Sequence, residues 1–416
     1  MRCLALVLGF TTSWLALGAG GVPLHPDSSV IRFPLRRLEN NYQGSHYIAK
    51  RQSDLNTTSN VPILNDLELF GFGIDIEVGS PPKKYLLLFD TGSSDTWIPS
   101  HNCTKAHGCQ TSNGYNPAES STYKSTNFPL NITYSIGSAL GKYFTDRVSI
   151  GDFTVPKQLV AYIDSNKGPI ATQNASNEFI MDGIFGAGYP AGSIIYQNFG
   201  KTFYPFPMSL WYSKLIPEPV FSISFEDSNK TDWSGEVVFG GVDLSKTSGK
   251  MVYTNVLPYN GTSVKDFMYT QVSLKNSTGT KKASFINTQP FSIDTGSTFI
   301  YLPEVEAETL ARYVDPNATL ANGFYFVDCS YLTSSNVFSV YFPAEHDPAS
   351  PASNKSMSIN VSISDLIGTI NNECVLLIVP WKYRIIGNIF LRKFVTSFDF
   401  GQNRIGFAPL RTHTSN

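Results

Sequence analysis

The sequence predicts an all-β protein of two pseudo-symmetric lobes around a central cleft. Three observations carry this. A twelve-residue pattern occurs twice, "FDTGSSDTWIPS" at Phe89–Ser100 and "IDTGSTFIYLPE" at Ile293–Glu304. Asp, Thr, Gly, Ser and Pro fall at matched offsets, with an aromatic, Trp97 or Tyr301, between them. Such a repeat marks one structural module used twice. Each copy is followed, at nearly the same distance, by two apolar residues and a glycine: Ile184-Phe185-Gly186 and Ile385-Ile386-Gly387. Finally, 29 Phe and 21 Tyr, with abundant Ser, Thr, Gly and Asn, favour strands and turns over helices. A chain of 416 residues is long for one core and suits two lobes.

The N-terminus reads as processing signal. Arg2 precedes the apolar stretch Leu4–Leu17 and the small residues Gly18–Gly21. Residues 1–20 are expected to be a secretory signal peptide, since the stretch falls short of the roughly twenty apolar residues of a membrane span. Arg32, Arg36, Arg37, Lys50 and Arg51 follow, and residues 21–51 read as a propeptide. The dibasic pair Lys50-Arg51 marks the expected cut, with Arg36-Arg37 as the competing site. The whole chain carries a formal charge of −2. Residues 1–51 hold more basic than acidic side chains, so the mature body is more acidic still. That argues against nucleic acid as a partner. It also lets charge attraction hold a basic pro-segment on the body near neutral pH. The C-terminal "LRTHTSN" has no hydrophobic tail, so no membrane anchor is expected.

The elements then follow in order. "LFGFGIDIEVGSPPKKYLLLFDTG" reads as strand, Gly-Ser-Pro-Pro turn, and a second strand ending in Asp90. "LNITYSIGSALGKYFTDRVSIGDFTV" reads as a hairpin with its tip near Gly137. "FSISFE" and "GEVVFGGVD" are further strands, and "EVEAETLARY", Glu304–Tyr313, is a helix started by Pro303. "GIFGAG", Gly183–Gly188, lacks the dinucleotide fingerprint and is read as strand packing with no helix after it. The lobes are expected at 52–245 and 246–416, each presenting one Asp to the cleft.

Cys3 falls in the signal segment, which leaves Cys103, Cys109, Cys329 and Cys374. An even number in a secreted chain reads as two disulfides. Of three pairings, the one within each half is expected: Cys103–Cys109 and Cys329–Cys374. Asn-x-Ser/Thr sequons stand at Asn56, Asn102, Asn131, Asn174, Asn229, Asn260, Asn276, Asn317, Asn354 and Asn360. They suggest a secreted glycoprotein in which a subset is used.

If the lobes face each other, Asp90 and Asp294 become neighbours. Two carboxylates about 3 Å apart cannot both ionise cheaply, so they share one proton. The charged member is then a base for a water, and the protonated member an acid toward a carbonyl oxygen. This chemistry needs no metal, no cofactor and no nucleophile on the protein. Gly92 and Gly296 permit close approach. Ser93 and Ser297 can donate to the outer carboxylate oxygens, and Thr91 and Thr295 can bond across to the opposite loop. His101, His107, His346 and His413 show no metal-binding spacing, and there is no Gly-x-Ser-x-Gly elbow.

Through "LLLFDTGSSDTW", "NITY", "DGIFGAGYP", "GEVVFGGV", "IDTG", "IIGNIFLRKF" and "FDFGQNRIGFAPL", the chain resembles the pepsin-like aspartic proteases from about Leu67 to Pro409. The resemblance implies a bilobal acid endopeptidase, made as a zymogen, with a β-hairpin flap over a cleft for an extended protein or peptide substrate. It implies Asp90 and Asp294 as the catalytic pair, Tyr134 as the flap tyrosine and Trp97 as the indole bonded to it. Thr298 would offer its hydroxyl to substrate backbone. Leu88 and Ile184 would line the primary pocket and favour large apolar side chains. The flap tip departs from the family's usual Tyr-Gly-Thr-Gly: it reads Tyr134-Ser135-Ile136-Gly137. The polar group at the third position is lost at Ile136, which argues against cutting after lysine. A secreted monomer, inhibited by its own propeptide, is expected, with a vacuolar destination as the alternative. A catalytically inactive peptide-binding glycoprotein on the same fold is the competing reading, and two intact Asp turns stand against it.

Overall fold

The computed structural model describes residues 72–150, 153–173, 180–225, 234–258, 269–276, 284–342, 357–370 and 372–411, together with the backbone of 31–37. The expected signal peptide, the Arg51 cut, His346, His413 and the sequons at Asn56, Asn174, Asn229, Asn260 and Asn354 lie outside the described residues.

Alternation builds the first hairpin. Phe72–Val78 and Lys83–Asp90 pair antiparallel from Gly73↔Leu88 to Val78↔Lys83. Ile74, Ile76 and Val78 point inward on one strand, and Tyr85, Leu87 and Phe89 on the other. Phe89 stacks on Phe185 at 5.3 Å and meets the edge of Phe221 at 5.7 Å, so the strand ending in Asp90 is anchored in aromatic core. Lys124–Thr133 and Ser138–Ile150 form the second hairpin. At its tip the Tyr134 N–H donates to the Gly137 carbonyl at 2.9 Å, and Gly137 has φ 101°, a conformation suited to glycine.

The same crossing occurs in both halves. Lys83–Asp90 runs parallel to Gly183–Gly186, placing Asp90 opposite Gly186. Ser284–Ile293 runs parallel to Ile385–Ile386 and ends one residue before Asp294. The strand after each Asp turn lies antiparallel on the crossing strand, Trp97↔Ile184 in one half and Tyr301↔Ile385 in the other. Glycine is needed where these backbones meet: a side-chain carbon on Gly186 would lie 2.5 Å from the Asp95 nitrogen, and one on Gly387 2.4 Å from the Ser297 oxygen.

A thirteen-stranded sheet joins the two halves. Phe394–Asp399 pairs with Val220–Phe225, and Phe398 stacks on Phe221 at 4.8 Å. A division of the chain at 245/246 therefore separates strands that one sheet holds together. The backbone of Ile31–Arg37, inside the expected propeptide, is also a strand of this sheet, between Phe72–Val78 and Ser234–Phe239.

Helix Glu304–Val314 buries Ala307, Leu310, Ala311 and Val314 along one face, the stripe expected of a helix on a core. The segment after "GIFGAG", expected to lack a helix, contains Ile194–Phe199 and, further on, Phe206–Tyr212. The Ser193 hydroxyl caps the first by accepting from the Tyr196 N–H, and Gly200, at φ 62°, ends it. So short a helix is set by its caps and leaves no readable period. The structure joins Cys103 to Cys109 and Cys329 to Cys374. Asn102, Asn131, Asn317 and Asn360 are exposed, and Asn276 closes the strand Tyr269–Asn276.

Candidate active site

Each Asp sits at the end of a buried strand, and its own turn organises it. The Gly92 N–H donates to Asp90 Oδ1 at 2.8 Å, and the Gly296 N–H to Asp294 Oδ1 at 2.8 Å. The Ser93 hydroxyl donates to Asp90 Oδ2, and the Ser297 hydroxyl to Asp294 Oδ2 at 2.7 Å. The two turns are thus hydrogen-bonded alike, as their shared sequence predicts.

The threonines lock the turns together. The Thr91 hydroxyl donates to the Ile293 carbonyl at 2.8 Å and accepts from the Thr295 N–H at 3.1 Å. The Thr295 hydroxyl donates to the Phe89 carbonyl at 2.8 Å and accepts from the Thr91 N–H at 3.1 Å. Both side chains are buried, so all four bonds are shielded from water.

The lock sets the Asp294 carboxyl against Gly92 of the first turn and the Asp90 carboxyl against Gly296 of the second. Asp90 is buried at 6% exposure. That burial, and then the charge of Asp294, push its carboxyl well above the usual carboxylate range, against the opposing bonds from Ser93 and the Gly92 N–H. Among the described residues, no group of three or more His, Cys, Asp or Glu is arranged to hold a metal ion.

The pair opens into a cleft of ≈ 420 Å³. Leu88, Ile184 and Ile136 line it from the first half; Tyr301, Trp381 and Tyr383 line it from the second. Trp97 donates from Nε1 to the Tyr134 hydroxyl at 2.6 Å, which fixes the base of the hairpin tip above Asp90. The Tyr134 phenol is pushed well above its ordinary value, by burial first and against the Trp97 bond.

Thr298 is fully buried and is not part of the cleft lining, and its Oγ1 has no hydrogen-bond partner among the described residues. The Gly387–Ile389 backbone packs on its loop, with the Ile389 N–H donating to the Thr298 carbonyl at 2.9 Å. Ser297 faces the cleft instead. Sequence reading also missed Gln173, whose amide bonds both backbone groups of Met181 and so ties down the cleft wall. A lone Gln in a polar stretch gives no signal. Asn388 bonds the Thr295 carbonyl at 2.9 Å, and its place directly after Gly387 was the available clue.

A family model described as eukaryotic aspartyl protease matches residues 71–410. The chain is 38% identical over 358 residues to "Mucorpepsin" of Rhizomucor miehei, covering 84% of this chain and 81% of that one. It is 30% identical over 365 residues to "Cathepsin E" of Aquarana catesbeiana, covering 85% and 82%. The solved structure of an aspartic proteinase from Irpex lacteus superposes with a TM-score of 0.66 at 21% identity, covering 84% of this chain and 97% of that one, which shows a shared fold.

Proposed function

We propose, from the premise that the chain belongs to the eukaryotic aspartyl protease family and is an aspartic endopeptidase, that Asp90 and Asp294 act as one acid–base pair at acidic pH. The observation that carries this is the reciprocal lock of Thr91 and Thr295, which holds the two Asp turns together with each carboxyl against the other turn's glycine. Burial and mutual repulsion favour one shared proton between them. The charged carboxylate takes a proton from water as the water oxygen bonds to the substrate's carbonyl carbon. The protonated carboxyl gives its proton to the carbonyl oxygen. Collapse of the resulting diol moves a proton to the leaving nitrogen, breaks the C–N bond and returns the pair to its starting state.

Leu88 and Ile184, buried yet open to the cleft, support a preference for large apolar side chains at the cut bond. Tyr134 and the hairpin tip close over the substrate. Secretion rests on the N-terminal segment and the sequons, of which Asn102, Asn131, Asn317 and Asn360 are exposed. A zymogen, a monomeric mature form and inhibition by residues 21–51 complete the reading. The strand Ile31–Arg37 supports the inhibitory segment, because a pro-segment paired with the body is held against it.

The test incubates purified precursor at acidic pH with denatured protein, with and without pepstatin, beside Asp294→Asn. Pepstatin-sensitive cleavage lost in the variant supports the pair. Cleavage that survives Asp294→Asn overturns it.

A further inference from the structure

The loop that carries Asp90 holds a second buried carboxyl, Asp95, which is 0% exposed. Its Oδ1 accepts from the Tyr143 hydroxyl at 2.5 Å, and its Oδ2 from the Ile194 N–H at 2.9 Å. Its partners are one phenol and one backbone amide, with no Lys, Arg or His among them. Tyr143 belongs to Ser138–Ile150, the second strand of the flap hairpin. Ile194 opens the helix Ile194–Phe199 and lines the cleft. Three segments far apart in sequence thus meet at one carboxyl, behind the wall that Leu88 and Ile184 share with Trp97 and Tyr143.

A buried charge with no cation costs several kcal/mol, so packing alone does not explain an aspartate here. In acid the cost disappears. Burial pushes the Asp95 carboxyl up to about 6, against the bonds from Tyr143 and Ile194, so below that pH it is neutral. The titratable groups around it are Tyr143 on the flap strand, Tyr134 at the flap turn, which feels its charge, and Asp90 on its own loop. None of them supplies positive charge.

We propose that Asp95 is a positioning residue for the cleft: it ties the Asp90 loop, the flap hairpin and the first turn of the Ile194 helix into one unit. In doing so it sets the wall that receives the substrate side chain beside the cut bond. This rests on the peptidase reading above. An amide keeps the Ile194 bond through its oxygen, and its nitrogen can donate to the Tyr143 oxygen once that hydroxyl turns from donor to acceptor. A leucine can replace neither bond.

The test uses two peptides that differ only at the cut bond, one carrying Phe and one Ala, at pH 4. Asp95→Leu should raise KM for the Phe peptide about tenfold, as expected for a lost buried hydrogen-bond anchor, with kcat and the Ala peptide's KM within about twofold. Asp95→Asn should restore the wild-type KM and hold it as pH rises through 6. If Asp95→Leu does not fold, Tyr143→Phe carries the comparison, with a rise of about threefold confined to the Phe peptide. Equal losses on both peptides, a fall in kcat at unchanged KM, or no rescue by Asn would overturn the proposal. Wild-type protein that cuts neither peptide overturns the peptidase reading, and this proposal with it.

Discussion

Gly92 lies directly beneath the Asp294 carboxyl: a side-chain carbon added to Gly92 would come within 2.6 Å of it. The relation is reciprocal, since one added to Gly296 would lie 2.5 Å from Asp90 Oδ1. Neither glycine has a positive φ, so its role here is space rather than backbone freedom. Gly92→Ala and Gly296→Ala should each lower kcat/KM at least about 100-fold by displacing the opposite carboxyl. Circular dichroism and thermal unfolding should show a folded protein. Activity within tenfold of wild type in either variant would show that the pair tolerates displacement.

The cross-lobe lock should matter to stability as well as to geometry. Thr91→Val removes the bond to the Ile293 carbonyl and leaves the buried Thr295 N–H without its acceptor. A loss of about 2–4 kcal/mol in denaturant unfolding is expected, together with a fall in kcat. Thr91→Ser keeps the hydroxyl and should recover most of both. Valine as stable as wild type would remove the lock from the account.

Three buried acids, Asp90, Asp95 and Asp182, are shifted upward and tilt the stability–pH curve the same way. The folded state therefore binds their protons more tightly than the unfolded chain does. Their contribution is fully present below the unfolded value of about 3.9 and is lost as pH rises through the folded values, about 6 for Asp95. For Asp95 alone the loss is on the order of 3 kcal/mol. Tm should fall between pH 4 and 7, and Asp95→Asn should flatten part of that fall. A Tm that rises over this window would contradict these assignments.

The Asp turns were legible because they are local and occur twice: the residues that bond Asp90 and Asp294 lie within each repeat. Glu304–Val314 was legible from Pro303 and a run of helix formers. The pairing of Phe394–Asp399 with Val220–Phe225 was not, since strand partners far apart in sequence leave no mark in either segment. Asp95 was hidden for another reason. Its counterpart in the second repeat is Phe299, so the comparison that singled out Asp90 passed over it.

The flap tip gives the sharpest specificity prediction. Ile136 lines the cleft from the turn between Thr133 and Ser138, where it presents an apolar surface to the substrate. A peptide with lysine beside the cut bond must desolvate its ammonium against that surface and finds no compensating charge there. Ile136→Asp would supply one on an element that already sits over the pair. Above about pH 4.5, where an exposed carboxylate is ionised, the variant should cut such a peptide about tenfold faster in kcat/KM than wild type does. The gain should shrink at pH 3, and a matched norleucine peptide should be cut no faster. A lysine preference unchanged by the substitution would place the subsite away from Ile136. An equal gain with norleucine would point to a looser flap and remove charge from the explanation.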